Sequence, residues 1–351
     1  MITEDLVRET LGGVNYPGFS RDIVSFGLVK GIEVEGSDVT VNITVATRDP
    51  NIPRNIHQGI ESALSGLEGI GRIKIDFDIQ DPPEVASGSN PAVGQSSIPG
   101  VKKIIAVASG KGGVGKSTVA TNLAVALSRS GASVGLCDCD LYGPSIALML
   151  GADDQQPMAT EQNEIIPIEA QGIKAISMGF LLEDDSPVIV RGPLATRYTQ
   201  QFLRQCAWGE LDYLILDLPP GTGDIQLTIS QTVAVDAAVI VTTPQEVALI
   251  DARKAVGMFQ KVNIPIAGIV ENMAWFECDL GTKYYIFGEG GGEKEAEKLG
   301  VPLLAQIPLD PPTRKRADEG NPVATADPEE HAIAGAFLDL AEIVRERVGA
   351  L

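Results

Sequence analysis

Apolar positions recur along the chain with two different periods, and the places where the period changes outline its elements. The opening segment "TEDLVRETLGGV" has a helical pattern, and two strand-like runs follow, "SFGLVKGIEVEG" and "DVTVNITVAT". In the second run Val39, Val41, Ile43 and Val45 alternate with polar residues, the period of a half-buried strand. "NIPRNIHQGIESALSGLEGI" then places Ile56, Ile60, Ala63, Leu64 and Leu67 on one helical face, and "RIKIDFDI" closes the segment as a strand. An αββαβ order predicts a small α+β domain over residues 1–81.

Residues 82–100, "PPEVASGSNPAVGQSSIPG", have linker composition, rich in Pro, Gly and Ser. Beyond them, over 101–351, the pattern changes to near-continuous apolar runs separated by helical segments: "KKIIAVAS", "SVGLCDCD", "AISM", "YLILDLPP", "AAVIVTTP", "AGIVENM" and "LLAQIPLD". Strands buried on both faces, alternating with helices, predict an α/β fold with a doubly wound, mostly parallel sheet. The first helix of that unit, "STVATNLAVALSRSG", ends at Gly131, a suitable C-terminal cap. Ligands of such sheets bind at the carboxyl ends of the strands.

Composition narrows the function classes. A length of 351 residues suits about two domains, and 44% hydrophobic with 21% charged residues is that of a globular protein with a full core. No run reaches the roughly 20 apolar residues of a membrane span. "MITEDLVRET" lacks the basic and apolar regions of a secretory signal, so a cytoplasmic location is expected. The net charge of −20, from 47 acidic and 27 basic residues, disfavours nucleic acid and anionic membrane as partners. The same excess is compatible with simple solubility or with adaptation to a high-salt cytoplasm. Four cysteines make no disulfide framework, and two isolated histidines, His57 and His331, argue against His-rich metal sites and Ser-His-Asp catalysis.

The chemistry gathers at strand ends. "SGKGGVGKST" contains the phosphate-loop spacing at Gly110, Gly115, Lys116 and Ser117. Gly110, Lys111, Gly112, Gly113, Val114, Gly115, Lys116, Ser117 and Thr118 would form a cradle of backbone N–H groups opening into a helix N-terminus. Lys116 would reach the β- and γ-phosphates of ATP, and the Ser117 hydroxyl would ligate Mg²⁺. Lys111 is badly placed for its own γ-phosphate and is either a solvated loop lysine or a charge stabiliser acting across a dimer interface. In "CDCDLYGPS", Asp138 and Asp140 share one strand face: Asp140 would orient the attacking water and Asp138 would lie nearer Mg²⁺ or the loop, unless both merely cap the strand. Asp217, ending "YLILD", is the expected holder of Mg²⁺ through water, and Pro219, Pro220, Gly221 and Gly223 suit a loop that senses the γ-phosphate. Cys137 and Cys139 read better as core packing than as a ligand pair.

"GKGGVGKST", "DCDLYGPS", "RGPLATRYTQQFLRQCAWGELDYLILDLPPGTGD", "ENMAWF" and "IFGEGGG", in this order, resemble the Mrp/ApbC family of iron–sulfur cluster carrier ATPases, of the MinD-like branch. The resemblance covers about residues 100–345, and the first domain is similar to the PaaD-like domain that often precedes the ATPase in this family. It implies a homodimer that closes around ATP, slow partner-regulated hydrolysis, and iron–sulfur apoproteins or assembly proteins as clients. It makes Lys111 the signature lysine, Asp140 and Asp217 the switch carboxylates and Asn272 the reader of adenine. Asn272 also fits an ordinary strand-end turn.

Carriers of this family show C-P-x-C followed by Gly after "NM", so that a dimer offers four thiolates to a [4Fe–4S] cluster. This chain reads Cys278-Asp279-Leu280-Gly281 there, with the first cysteine alone, and no cysteine precedes Cys137. Cys206, beside Trp208, is expected in a packed helical region, a poor substitute ligand. Three readings stay open. A cluster is carried by Cys278 with a non-cysteine ligand such as Asp279, or with a client's thiols; the protein is an assembly ATPase that holds no cluster; or it is a MinD/ParA-like positioning or scaffold ATPase. The last needs a surface-binding element, and the C-terminal helix "HAIAGAFLDLAEIVRERVGAL" is too acidic for one, so packing on the sheet is expected. A phosphotransferase is a further class, separable by its products.

Overall fold

The computed structural model describes residues 2–14, 23–24, 28–46, 51–67, 69–80, 97–160, 164–181 and 192–350. Two compact units divide the chain, 1–90 and 91–351. Most of the expected linker 82–100 lies outside the described residues, as do residues 47–50.

In the first unit, helix α1 (Glu4–Leu11) is started by Thr3, whose hydroxyl accepts from the Leu6 N–H at 3.3 Å, with Glu4 and Asp5 at the positive end of the helix dipole. Strands β1 (Val29–Glu35) and β2 (Asp38–Ala46) form an antiparallel hairpin, and helix α2 (Asn51–Leu64) crosses over to β3 (Ile73–Gln80), parallel to β2. Val39, Val41, Ile43 and Val45 are buried against Val7, Leu11, Ile56, Ile60 and Leu64. Each such side chain contributes about 1.5–3 kcal/mol. The helix stops at Leu64, short of the expected stretch to 70, so Ala63 and Leu67 are only partly covered. Gly66 and Gly69 follow, and Gly69 adopts a φ of 85° that a helix does not allow.

The second unit is built on β4 (Val101–Ala108), α3 (Lys116–Arg129), β5 (Val134–Asp138), the short α4 (Ile146–Met149), β6 (Ile168–Ala170), β7 (Ile173–Ile176) and α5 (Gly192–Arg204). It continues with β8 (Leu211–Asp217), α6 (Asp224–Thr232), β9 (Ala237–Thr242), α7 (Glu246–Lys261) and β10 (Ile266–Glu277). It closes with β11 (Lys283–Tyr284), α8 (Gly291–Leu299), β12 (Leu303–Leu309), α9 (Pro311–Asp318) and α10 (Ala332–Ala350). The sheet order is β11-β10-β9-β4-β8-β5-β7-β6, with β12 also paired to β10. All described pairings of this sheet are parallel except β6–β7 and β10–β11. The α/β doubly wound sheet is therefore as the apolar runs imply, with antiparallel additions at both edges that short segments did not announce.

One core layer packs α3 and α10 on the sheet through Val119, Leu123, Phe337, Leu340 and Val344. The other gathers Phe202, Ile229, Val256, Phe259 and Ala296 on the opposite face. Helix α10 is thus packed, as its acidic, amphipathic sequence implies, and no helix among the described residues is long and apolar enough to cross a membrane. With β4 between β8 and β9, the carboxyl ends of β4, β5 and β8 stand together.

Candidate functional site

The loop from Ser109 to Gly115 leaves β4 and turns into α3. Gly115 sits at φ 83°, and a side chain there would strike the Asn272 amide; at Gly110 one would enter the backbone of Asp251 in α7. These two glycines are set by conformation and close packing. The loop is tied at its start, where the Ser109 hydroxyl donates to Lys111 O at 3.0 Å and the Gly221 N–H donates to Ser109 O at 2.9 Å. Gln226 in α6 holds the other side of that tie, its amide donating to Pro219 O at 2.6 Å and Gly221 O at 2.9 Å. Gln226 had no signal in the sequence beyond its place after the Pro-Gly stretch.

Lys116, only 5% exposed, directs Nζ to Asp217 Oδ1 at 2.6 Å and to Ser117 Oγ at 3.2 Å. Asp217 is wholly buried at the end of β8, and its Oδ2 has no hydrogen-bond partner among the described residues. Leaving a buried acceptor unpaired costs about 1–3 kcal/mol. This orphan oxygen and the Ser117 hydroxyl, both on side chains that Lys116 Nζ meets, are donors that suit a hydrated Mg²⁺, a hard cation that keeps its waters.

Asp138, on the neighbouring strand end, is also buried. Its Oδ2 accepts from the Ser177 hydroxyl at 2.8 Å and its Oδ1 from the Asp140 N–H at 3.0 Å. Burial, and then the negative charge of Asp217, push its carboxyl up to about 7. Asp138 therefore anchors the turn that holds Asp140, with Ser177 a partner that the sequence reading missed. Asp140 is half-buried, and its carboxyl is raised, chiefly by burial, with Lys116 opposing. Lys111 is exposed at the loop's outer side. Val114 is buried beneath the loop, and its carbonyl accepts from Asn272 Nδ2 at 2.9 Å. One amide hydrogen of Asn272 is thus spent on the loop itself. Thr118, one turn into α3, gives its carbonyl to Asn122 at 2.9 Å.

Beyond Asn272, β10 kinks at Met273 (φ 55°) and runs on to Cys278. Phe276 pairs with Tyr284 and Glu277 with Lys283, and Lys283 Nζ lies 4.2 Å over the Trp275 ring. The turn is closed by Cys278 N–H to Thr282 O at 3.0 Å and Gly281 N–H to Cys278 O at 2.8 Å. Cys278 is half-exposed, and N–H groups of Leu280, foremost, and of Thr282 hold its thiol below the ordinary range. Leu280 is 92% exposed. The hairpin presents one half-exposed thiol and, among the described residues, no three His, Cys, Asp or Glu side chains gather as a metal site.

The remaining cysteines are buried. Cys137 and Cys139 sit with sulfurs 3.8 Å apart in the core, as their strand position implied. Cys206 corrects the expectation of a helical setting: it follows α5 and bridges to Ile165, and burial pushes its thiol up to about 12.

A family model described as the NUBPL iron-transfer P-loop NTPase matches residues 100–345, and one described as an iron–sulfur cluster assembly protein matches residues 4–77. The iron–sulfur cluster carrier protein of Deinococcus radiodurans is 47% identical over 326 residues, 93% of this chain and 90% of that protein. Among solved structures, the nucleotide-binding protein of Archaeoglobus fulgidus in complex with ADP is similar at 42% identity and a TM-score of 0.56, covering 63% of this chain and 87% of that one. The septum site-determining protein MinD of Pyrococcus horikoshii, complexed with Mg-ADP, is similar at 28% identity and a TM-score of 0.55, covering 71% of this chain and 98% of that one.

Proposed function

This chain belongs to the NUBPL-type iron-transfer P-loop NTPase family, and on that premise we propose an ATP-driven iron–sulfur cluster carrier and assembly factor whose cargo site, Cys278, follows directly on the strand β10 that carries Asn272 of the nucleotide site. It is an ATPase. The observation that carries the reading is the buried Lys116–Asp217 pair with its orphan oxygen, at the mouth of a phosphate loop.

Without nucleotide, Lys116 is held by Asp217. The β- and γ-phosphates of ATP offer it a stronger, multiply charged partner, so binding transfers Lys116 to the phosphates and frees Asp217. The N–H groups from Gly110 to Thr118 receive the phosphate oxygens. Ser117 Oγ, and Asp217 through water, would hold Mg²⁺, which would supply neutralisation of phosphate charge. Asp140 orients the attacking water, whose oxygen bonds to the γ-phosphorus as the bond to the β–γ bridging oxygen breaks, giving ADP and phosphate. Asp138 fixes Asp140 through its backbone N–H. Lys111 acts on the nucleotide of a second subunit, which requires a homodimer. Asn272 uses its remaining amide hydrogen and its oxygen toward adenine.

The cluster is cargo. Cys278 is the thiolate this chain offers, and a dimer brings two of them. Further ligands then come from Asp279 or from the client apoprotein receiving the cluster, which favours transient holding over a closed four-cysteine cage. A cytoplasmic location accords with reduced thiols. Turnover to ADP and phosphate, abolished in Lys116→Ala, tests the ATPase; an added acceptor becoming phosphorylated would replace this reading by a phosphotransferase.

A further inference from the structure

Glu271 is a buried carboxyl that neither nucleotide nor cargo explains. It lies in β10 one residue before Asn272 and is wholly buried. Acidic side chains are almost never fully buried without specific partners. Glu271 has two: its Oε2 accepts from the Gly292 N–H, and its Oε1 accepts from Gln306 Nε2 of β12 at 2.9 Å. Gly292 is the second residue of α8, where backbone N–H groups lack intrahelical acceptors. The carboxyl therefore ties three elements, β10, β12 and α8, at the carboxyl edge of the sheet.

The glycine run of "IFGEGGG" is explained by this contact. A side chain on Gly291 would strike Pro244 O after β9, and one on Gly292 would lie 2.6 Å from Glu271 Oε2 and 2.8 Å from its Cβ. The run lets the start of α8 approach β9 and β10 closely. Successive strand residues point to opposite faces, so Glu271 fixes β10 from the α8 side while Asn272 reaches Val114 on the α3 side. Just beyond, the Met273 backbone departs from strand geometry and the pairing with β12 shifts register. Without an anchor at 271, the irregular stretch that follows would leave the aim of Asn272 unset.

We infer that Glu271 is a positioning residue for nucleotide binding: it holds the carboxyl end of β10 so that Asn272 braces Val114 and with it the phosphate loop. The inference rests on the nucleotide reading proposed above and extends it to a residue that touches no nucleotide.

The test is a double-mutant cycle on the full chain, read as the ATP dissociation constant and accompanied by a folding measurement. Glu271→Ala and Asn272→Ala should each weaken ATP binding about fivefold, the worth of one hydrogen bond. The double variant should be no weaker than Asn272→Ala, because the first change acts through the second. Glu271→Gln should lie within about twofold of wild type, since its amide oxygen still accepts from Gly292 and the Gln306 amide can turn to match the new donor. Glu295→Gln, which weakens the tie of α8 to Arg253 and leaves the bonds of Glu271 to Gly292 and Gln306 in place, should also lie within about twofold. If Glu271→Ala does not fold, Gln306→Met removes one donor and is read in its place, in the same cycle. Additive losses of about 25-fold in the double variant, or unchanged binding in Glu271→Ala, would overturn the inference alone. A wild-type chain that binds no ATP would overturn the proposed function with it.

Discussion

Lys116 Nζ stands 2.6 Å from Asp217 Oδ1, and the two residues are 5% and 0% exposed. Lys116 is not free to act on a phosphate while this pair holds, and of the Asp217 carboxylate only Oδ2 stays without a partner among the described residues. On the function proposed above, this pair is the resting arrangement, and nucleotide binding opens it.

Removing one partner strands the other. Lys116→Ala should abolish ATP binding and destabilise the fold by about 3–5 kcal/mol, because a buried carboxylate loses its cation. Denaturant unfolding and ATP titration check both effects. A variant as stable as wild type would contradict a stabilising Lys116–Asp217 ion pair.

Asp138 gives a pH signature. Its carboxyl is raised in the folded chain to about 7, above the usual unfolded value near 4, so folding disfavours its ionisation. This contribution is fully present below about pH 4 and is lost as pH rises through about 7, with a slope of at most about 1.4 kcal/mol per pH unit. Subtracting the stability-versus-pH curve of Asp138→Asn from that of wild type should show this fall. A flat difference between pH 5 and 8 contradicts it.

The cysteines should react unequally. Cys278 is half-exposed with a lowered thiol, whereas Cys137, Cys139 and Cys206 are buried. Under native conditions near pH 7.5, an alkylating reagent followed by peptide mass analysis should label Cys278 first, by at least about tenfold in rate. Comparable labelling of Cys206 would show that the hairpin does not activate its thiol.

Lys111→Ala should leave the fold and ATP binding nearly intact, since the side chain is exposed, yet weaken ATP-driven dimerisation and hydrolysis about 10²-fold or more. Sedimentation in ATP measures the first. Equal dimerisation of the two proteins would exclude its action across an interface.

Much of this was legible in the sequence for a physical reason: short-range pattern decides it. The buried runs of β4 and β9, the glycine spacing before Lys116 and the acidic end of β8 are local signals. Their contacts are not local. Lys116 meets Asp217 across 101 positions and Asn272 meets Val114 across 158, so pairings with Ser177, Gln226 and Gln306 had no counterpart in periodicity. "IFGEGGG" stood out as a motif, but its reason, the approach of α8 to Glu271, exists only in the folded chain. Cys206 was misplaced because Gln205 and the residues after it continue a helical composition, while the backbone turns away to pair with Ile165.

On the proposed function, one hairpin cysteine per subunit still suffices to carry a cluster. Anaerobic reconstitution with iron and sulfide, counting both per dimer and recording visible absorption for wild type and Cys278→Ser, tests it most directly. A stoichiometric, labile cluster is expected in wild type and should be lost in Cys278→Ser. No cluster in either protein, or the same cluster in both, would contradict it.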